Sequence, residues 1–273
     1  MLESLVKQIK IELFKIAKNN PDIRLASSLS CLELLVALYY GKILSFNPKN
    51  PFDENRDRFF ISKGHGSICF YPILADLGFF DKKELENVGK KGSFLGSIPD
   101  PMIPGYESIN GSLGHAAGVA SGVAMALKNK SKKQNVIALL GDGELNEGSC
   151  WEAFMFASYH KLDNLSIIID CNKVQMLDFT KNILDLQNLK AKFKVFGFEV
   201  FEINNAHNVR ECESILMEAI FKRNCKAKVI IAHSVKGYGV KSLENKALSH
   251  ILSADVKEID QLIEELENEN NAR

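Results

Sequence analysis

The sequence predicts an α/β fold, a parallel β-sheet with helices packed on both of its faces. Short apolar runs, most of them dense in β-branched or aromatic residues, alternate along the chain with helical patterns. These runs are nearly continuous in their apolar character, which is typical of strands that are buried on both faces of a parallel sheet. Because strand, helix and strand follow one another, right-handed βαβ connections are expected.

Five runs are interpreted as strands, with helical patterns between and around them. The strand candidates are residues 58–62, 135–141, 164–170, 198–203 and 228–233. Apolar residues at helical spacing predict an N-terminal helix over about residues 1–20 and an acidic C-terminal helix over about residues 255–273. Capping boxes at 30–33 and 149–152 predict two further helix starts. We expect one domain over residues 1–273.

The composition narrows the class of protein. Lys plus Arg and Asp plus Glu are 34 each, so the chain lacks the basic excess that nucleic-acid binding requires. The six cysteines form no CxxC motif, which favours free thiols in a reducing compartment. The N-terminal segment carries charges among its apolar residues, unlike a signal peptide, and no stretch is long and apolar enough to span a membrane. A cytoplasmic protein without nucleic-acid or membrane partners is therefore expected.

Polar side chains follow two of the predicted strands at the point where each strand ends. Asp142 comes after the second strand, between Gly141 and Gly143, and Asn172 comes after the third. Ligands of open parallel sheets bind beyond the carboxyl ends of the strands, so these residues are expected to converge if the two strands are neighbours. Oxygen donors of this kind suit Mg²⁺, with Ca²⁺ or Mn²⁺ as substitutes, and Mg²⁺ completes its shell with water and phosphate oxygens. The pattern therefore predicts a phosphorylated ligand held through a metal ion.

A second glycine-containing segment, residues 110–114, opens a predicted helix and could approach a phosphate closely. Gly114, Gly118 and Gly122 recur every four residues, and this spacing predicts a close crossing with another helix. One alternative reading of the strand ends is a Mg²⁺-dependent phosphohydrolase that uses Asp142 and Asp170. The sequence offers no clear in-line nucleophile for that reaction.

Together these motifs resemble those of the transketolase family, whose members bind thiamine diphosphate (ThDP). The resemblance covers roughly residues 20 to 250, and its motifs fall in the family's order. It corresponds to the half that binds the cofactor diphosphate, in the form that occurs as a separate N-terminal subunit. The segments that carry the resemblance are residues 56–80, 104–128, 141–153, 164–175 and 192–203.

The resemblance implies roles for individual residues of this sequence. Asp142, Asn172 and the backbone carbonyl of Val174 would ligate Mg²⁺. The cofactor would contact His65, Gly111, Leu113, Gly141 and Gly143. His65, His250 and Glu147 are the candidate catalytic residues, with Glu147 matching an interface glutamate of the family and His250 also reaching substrate. His115, His160, His207 and His233 are interpreted as structural, and Asp170 as a residue that orients the metal loop.

The sequence departs from the family pattern at two positions. Arg24 stands where sugar-phosphate transketolases have a histidine, and Ile98 lies where another active-site histidine is expected. An arginine cannot act as a base at neutral pH, but it binds a carboxylate or phosphate in bidentate fashion. Arg24 is therefore a candidate substrate contact, and an atypical ketose or acidic sugar donor is expected.

The resemblance also implies a partner. Full-length relatives carry a pyrimidine-binding domain, whose glutamate activates the cofactor, and a third domain after this half. A C-terminal partner subunit with that domain is expected, in an α2β2 assembly that transfers a two-carbon ketol unit between sugar or sugar-phosphate substrates. Two alternatives remain open: another ThDP-dependent reaction, such as acyloin or 1-deoxy-ketose synthesis, and a non-catalytic scaffold subunit.

Overall fold

A computed structural model describes residues 1–108 and 110–271 of the chain. A five-stranded sheet forms its centre, in the order β1-β2-β3-β5-β4 with every neighbouring pair parallel. The predicted fold class is confirmed, and each predicted strand is present to within about a residue. The strands are β1 (Arg58–Ile61), β2 (Val136–Gly141), β3 (Leu165–Cys171), β4 (Glu199–Ile203) and β5 (Lys228–His233).

Helices connect the strands and cover both faces of the sheet. Short 3₁₀ helices at Gly64–Cys69 and Gly143–Asn146 follow β1 and β2, and another lies at Lys82–Asn87. The α-helices in the described residues are α1 (Leu2–Asn19), α2 (Leu25–Leu29), α3 (Leu32–Tyr40), α4 (Phe70–Asp76), α5 (Ala116–Asn129), α6 (Gly148–Tyr159), α7 (Thr180–Ile183), α8 (Leu189–Val195), α9 (Val209–Phe221) and α10 (Val256–Asn271).

Successive side chains of the central strands enter opposite apolar layers. Ile137 and Leu139 of β2 pack with α1, α3, α4 and α9, whereas Val136, Ala138 and Leu140 pack with α5, α6 and α8. All five side chains are fully buried, and burying each valine, leucine or isoleucine among them contributes about 1.5–3 kcal/mol. The two-sided burial explains why the strands read as continuous apolar runs.

The terminal helices agree with their predictions over the described residues. α1 ends one residue before the predicted limit, and α10 begins one residue after it. Residues 272 and 273, the last of the predicted C-terminal helix, lie outside the described residues. No described helix has both the length and the apolar character needed to cross a membrane.

Both predicted capping boxes are wrong in their hydrogen bonds. α3 begins at Leu32 without a side-chain cap, and the Ser30 hydroxyl lies within donating distance of the Ser27 carbonyl (3.0 Å) and of Asp170 (2.6 Å) instead. α6 begins at Gly148, one residue before the predicted cap Ser149, whose hydroxyl donates to the Gly114 carbonyl at 2.9 Å. In both places a partner distant in the sequence replaces the local cap.

The glycine spacing in α5 does not mark a close helix crossing among the described residues. A Cβ atom added at Gly118 or Gly122 would meet nothing within 4 Å. At Gly114, before the helix, an added Cβ would lie 2.6 Å from the Ser149 hydroxyl and 2.8 Å from Cβ of Glu147. Only Gly114 of the three therefore permits a close approach, between the segment that precedes α5 and the start of α6.

Candidate functional site

The candidate site lies at the carboxyl edge of the sheet. Because the strands are parallel and in register, Gly141 pairs with Asp170 and Cys171 pairs with His233. The loops that leave β2, β3 and β5 therefore start at the same edge. The loop after β1 contributes Lys63 and His65 to the same place, as their contacts below establish.

Asp142 joins the loop after β2 to the loop after β3. Its carboxylate accepts a hydrogen bond from the Gly143 amide at 2.9 Å and another from the Lys173 amide at 2.8 Å. The residue is only 3% exposed. Burial, together with the negative charge of Asp170, raises the pKa of Asp142 to about 6. The predicted convergence of the two strand ends is thus present in the backbone and in the side chain.

Asn172 and Val174 lie in the same turn. The Asn172 side-chain oxygen accepts from the Val174 amide at 3.1 Å, and its amide nitrogen donates to Asp170 at 3.1 Å. Lys173 between them has a φ of 65°, in the left-handed region. By accepting from the amide nitrogen, Asp170 therefore orients the Asn172 side chain so that the Asn172 side-chain oxygen faces the turn.

This donor set consists of one carboxylate, one carboxamide and one backbone carbonyl. Among residues 1–108 and 110–271 there is no cluster of three His, Cys, Asp or Glu side chains that could hold a metal ion. A cation bound by Asp142, Asn172 and Val174 would take only oxygen donors from the chain, a set that suits Mg²⁺ and excludes a structural zinc site. The remaining positions in its shell would go to ligand oxygens and water.

A buried ion pair lies beneath the turn. The Lys63 ammonium contacts Asp170 and also donates to the Ser27 carbonyl and the Ser30 hydroxyl, both at 3.0 Å. Lys63 and Asp170 are 1% and 0% exposed. Burial opposes both charges, but the attraction between them dominates, so the pKa of Asp170 lies below its ordinary value and that of Lys63 above it.

A second buried lysine, Lys236, follows β5. Its ammonium donates to the Val174 carbonyl at 2.9 Å and lies 3.4 Å from Nδ1 of His250. None of the described carboxylates forms a hydrogen bond or ion pair with it. Burial and the nearby charge of Lys63 lower the pKa of Lys236 to about 8.

His65 and His250 face each other, with ring centroids 4.5 Å apart. Burial, reinforced by the positive charges of Lys63 and Lys236 respectively, lowers the pKa of His65 to about 2 and that of His250 to about 4. Both imidazoles are therefore neutral near pH 7, and each can donate and accept a hydrogen bond. His250 thus reaches the site despite its unusual sequence surroundings.

Arg24 lies just before α2, where its positive charge helps to lower the pKa of His250, after burial and the charge of Lys236. Its guanidinium forms no hydrogen bond or ion pair with any residue in the described part of the chain. A half-buried guanidinium without a carboxylate partner can bind an anionic group of a ligand.

The remaining predicted residues are more dispersed. Gly111 has a φ of +127° and open space where a Cβ would lie, and Leu113 is half-buried near it in the chain. Gly143 allows the close approach of Gln175, whose Cγ would lie 2.7 Å from an added Cβ. Glu147 is exposed at the start of α6, and none of its hydrogen bonds reaches Asp142 or the two histidines.

Three charged residues of this edge are not predicted from the sequence. Lys63 and Lys236 are described above. Glu144 is the third, and its carboxylate accepts from the Ser62 hydroxyl and from the amides of Gly114 (2.8 Å) and Gly141 (3.3 Å). The sequence position of Lys236 could have indicated its role, because Lys236 lies three residues after a predicted strand, just as Asp142 and Asn172 follow predicted strands.

Four buried polar atoms without a hydrogen-bond partner belong to segments that form this edge. The hydroxyls of Ser27, Ser28 and Ser249 and the side-chain nitrogen of Gln175 are buried without a hydrogen-bond partner. Such groups cost free energy unless a ligand or water satisfies them. Ser27 adjoins the Lys63 contact, Ser249 precedes His250, and Gln175 follows Val174. Together with the unneutralised cations Lys236 and Arg24, they fit an anionic ligand such as a metal-bound diphosphate.

Comparison with known proteins agrees with this geometry. Residues 24–272 match the family described as "Transketolase, thiamine diphosphate binding domain". The chain is 36% identical over 258 residues to one subunit of the apulose-4-phosphate transketolase of Phocaeicola vulgatus, covering 91% of this chain and 90% of that protein. It is 35% identical over 243 residues to the 6-deoxy-6-sulfo-D-fructose transketolase subunit SqwG of a Clostridium species, covering 89% and 87%.

The fold agrees as well. The structure superposes on transketolase from Leishmania mexicana with a TM-score of 0.90 and 23% sequence identity, over 98% of this chain and 41% of that chain. At this level of identity the match establishes the fold and nothing further. The chain therefore spans less than half the length of that structural relative.

Proposed function

The chain belongs to the transketolase family of ThDP-binding domains, and from that premise we propose that it is the N-terminal subunit of a split transketolase. The proposed reaction is the transfer of a two-carbon ketol unit between sugar substrates. The observation that carries the proposal is the hydrogen-bonded turn that brings Asp142, Asn172 and Val174 together, with the Lys236 ammonium donating to the Val174 carbonyl. The family match and the two relatives named as transketolase subunits support it.

Each residue of the turn has a proposed role toward the cofactor. Asp142, Asn172 and the Val174 carbonyl would hold Mg²⁺, and the Mg²⁺ would hold the diphosphate. The backbone at Gly141, Gly143 and Gly111, with Leu113, would contact the cofactor. When bound, ThDP supplies the nucleophilic carbon and the electron-accepting ring that two-carbon transfer needs.

The two neutral histidines would act on substrate. Because His65 and His250 are neutral near pH 7, they can donate hydrogen bonds to the hydroxyls and carbonyl of a ketose, and can accept hydrogen bonds from its hydroxyls. His65 contacts His250, which lies beside Lys236 and hence near the turn that holds Asp142, Asn172 and Val174, the metal turn. We propose them as catalytic residues, with His250 also contacting substrate.

The substrate is proposed to be an anionic ketose. The names of the two relatives specify apulose-4-phosphate and 6-deoxy-6-sulfo-D-fructose, which carry a phosphate and a sulfonate group. Arg24 is a permanent cation without a carboxylate partner in the described chain. We propose that Arg24 binds an anionic group of the substrate, in place of the neutral histidine of sugar-phosphate transketolases.

The site is proposed to be completed by a C-terminal partner subunit in an α2β2 assembly. Both relatives are named as subunits. Large apolar side chains are exposed in the segments next to the site, namely Ile98, Met102, Met176, Leu177 and Leu184. We propose that the partner subunit covers these side chains. Glu147, exposed at the start of α6, is proposed to lie at a subunit interface near the dyad.

The proposed location is the cytoplasm. All six cysteines are free, and five of them are buried. Free thiols persist in a reducing compartment.

Reconstitution tests the proposed function. The chain and a candidate C-terminal subunit are purified separately, mixed with ThDP and Mg²⁺, and assayed with phosphorylated, sulfonated and uncharged ketoses. Ketol transfer is expected from the mixture and from neither chain alone. If the assembled complex binds ThDP but transfers nothing from any of these ketoses, the ketol-transfer proposal is wrong, and the alternatives are another ThDP-dependent reaction and a scaffold function.

Arg24 variants test the substrate class in the same assay. Arg24→Met is expected to raise KM for an anionic donor by at least about tenfold, because a charge-assisted bond contributes about 1.5–3 kcal/mol. KM for an uncharged donor should stay within about twofold. Arg24→Lys keeps the charge but loses the bidentate geometry, so an intermediate effect is expected. Equal effects of Arg24→Met on charged and uncharged donors would contradict the assignment.

A further inference from the structure

A buried histidine outside the proposed site contacts the loop that carries Lys236. His207 lies in the connection between β4 and α9, and its side chain is 2% exposed. Its Nδ1 atom is 3.2 Å from the carboxylate of Glu33 on α3, a residue that is equally buried. On the other side of the ring, Nε2 accepts a hydrogen bond from the backbone amide of Val235 at 2.8 Å.

These contacts fix the protonation state of the ring. A backbone amide can only donate, so Nε2 must carry a lone pair and His207 must be neutral. The ring proton therefore lies on Nδ1 and is donated to Glu33. The ammonium of Lys10 lies 3.6 Å from the other carboxylate oxygen of Glu33 and forms an ion pair with it. The buried carboxylate thus selects the tautomer in which Nε2 is free to hold the Val235 amide.

The aromatic ring of His207 also contacts the same loop from a second direction. The ring of Tyr238 stacks on it, with centroids 3.7 Å apart and an interplanar angle of 10°. Val235 and Tyr238 therefore both pack on His207, one by a hydrogen bond and one by stacking. Between them, the amide of Gly237 donates to the Ala26 carbonyl at 3.0 Å, which ties the loop to α2.

Lys236 lies between these anchored residues and points to the other side, into the proposed site. The residue is 2% exposed, and its ammonium contacts the Val174 carbonyl and His250. Burying an uncompensated ammonium is costly, so the flanking backbone must be held firmly to keep it there. His207 supplies a hydrogen bond at the residue immediately before it.

We propose that His207 is a positioning residue of the cofactor site: through the Val235 amide it holds the loop after β5 so that the Lys236 ammonium reaches the metal turn. The proposal rests on the proposed function, because it assigns Lys236 a contribution to cofactor binding. His207 touches neither the cofactor site nor the substrate and acts only through Lys236. Outer partners of this kind typically change ligand affinity by 10–100-fold.

Two substitutions separate the two hydrogen bonds. His207→Phe keeps an aromatic ring against Tyr238 and loses both bonds. His207→Asn keeps a donor near the position of Nδ1, for Glu33, but has no acceptor that can reach Val235. Both variants are expected to weaken the binding of ThDP with Mg²⁺ to the assembled complex by about tenfold or more. His160→Phe, between the end of α6 and the start of β3, is the control and should bind like wild type.

Two further readouts distinguish positioning from general damage to the fold. Hydrogen exchange of the cofactor-free chain should be faster at residues 235–238 in His207→Asn and unchanged in α5 and α6. In a double-mutant cycle, His207→Asn should weaken ThDP binding in the wild-type background but by less than about twofold in a Lys236→Met background, since both changes remove the same interaction.

The outcomes are decisive in either direction. Independent, multiplicative effects of His207→Asn and Lys236→Met would overturn the proposal. Unchanged ThDP affinity in both His207 variants, with wild type binding normally, would overturn it while leaving the proposed function intact. Failure of wild type itself to bind ThDP in the assembled complex would overturn the proposed function and this inference with it.

Discussion

Two buried lysines lie at the same edge of the sheet, and they differ in whether a carboxylate neutralises the ammonium. Lys63, after β1, forms an ion pair with Asp170 and has two further hydrogen-bond acceptors. Lys236, after β5, contacts a backbone carbonyl and a neutral imidazole but no carboxylate of the described chain. The pKa of Lys63 is accordingly raised and that of Lys236 is lowered to about 8, with burial acting against the charge in both cases.

The difference separates a structural cation from one available to a ligand. The charge of Lys63 is neutralised inside the protein, so its removal should damage the folded chain. The charge of Lys236 has no such partner, and its burial costs stability that an anionic ligand would recover. The same residue type thus stabilises the fold on one loop and serves binding on the other.

Lys63→Met should have the largest effect on stability. It leaves Asp170 as an unpaired, fully buried carboxylate, which is expected to lower the free energy of unfolding by about 3–5 kcal/mol. Urea unfolding followed by circular dichroism measures it. The double variant Lys63→Met with Asp170→Asn removes both charges and should recover most of the loss. A loss below about 1 kcal/mol in the single variant would contradict the structural role of the pair.

Lys236→Met should affect ligand binding and leave the stability of the fold intact. We expect its free energy of unfolding to be unchanged or higher, while the affinity of the assembled complex for ThDP with Mg²⁺ falls by about 30-fold, equivalent to about 2 kcal/mol. Calorimetric titration measures the affinity. Lys228→Met is the matched control. Lys228, at the start of β5, is also buried, and its pKa is also lowered to about 8, chiefly by burial, but its ammonium donates to the Asp163 carbonyl instead. Equal loss of affinity in both variants would show that any buried lysine has this effect.

A smaller effect is expected on the pH dependence of stability, and it comes from His250, the histidine that contacts Lys236. Burial lowers the pKa of His250 to about 4, from 6.5 in the unfolded chain. Acidification from pH 6.5 to 4 therefore protonates the unfolded state first, and the stability associated with neutral His250 is lost over this range. The raised pKa of Asp142 acts in the opposite direction, since stability associated with it is lost as the pH rises towards about 6.

His250→Gln isolates the histidine contribution, because Asp142 is common to both proteins. The difference in unfolding free energy between wild type and His250→Gln should shift against wild type as the pH falls from 6.5 to 4. Urea unfolding at several pH values measures this difference, with His160→Gln as a control on α6. A difference that does not change with pH would mean that His250 titrates normally in the folded chain.

The sheet could be predicted closely because its signal is local. Runs such as residues 164–170 are nearly continuous in apolar character, which is typical of parallel strands covered on both faces. The strand ends then located Asp142 and Asn172, since parallel strands bring their carboxyl ends to one edge. These parts of the site follow from strand geometry and need no knowledge of distant contacts.

The parts that the sequence did not predict depend on distant contacts. Ser30 reads as a helix cap, yet its hydroxyl bonds to Asp170, which is 140 residues away in sequence. Lys63 and Asp170 are separated by 107 residues, and nothing near either one indicates the pairing. His207 likewise bonds to Glu33 and Val235, which lie in other elements. Charged residues in the interior are recognised only when the fold brings their partners together.

The most direct test of the account is calorimetric titration of ThDP with Mg²⁺ into the chain, alone and assembled with its candidate partner, for wild type and Asp142→Ala. Asp260→Ala, on the exposed surface of α10, serves as the matched control. We expect ThDP binding to appear or to tighten when the partner is present. Asp142→Ala should weaken this binding by at least about 100-fold, because 100-fold is the upper range for residues that merely orient metal ligands. Binding by Asp142→Ala as tight as that of wild type would contradict the metal turn, and no binding to the assembled wild-type complex would contradict the proposed function.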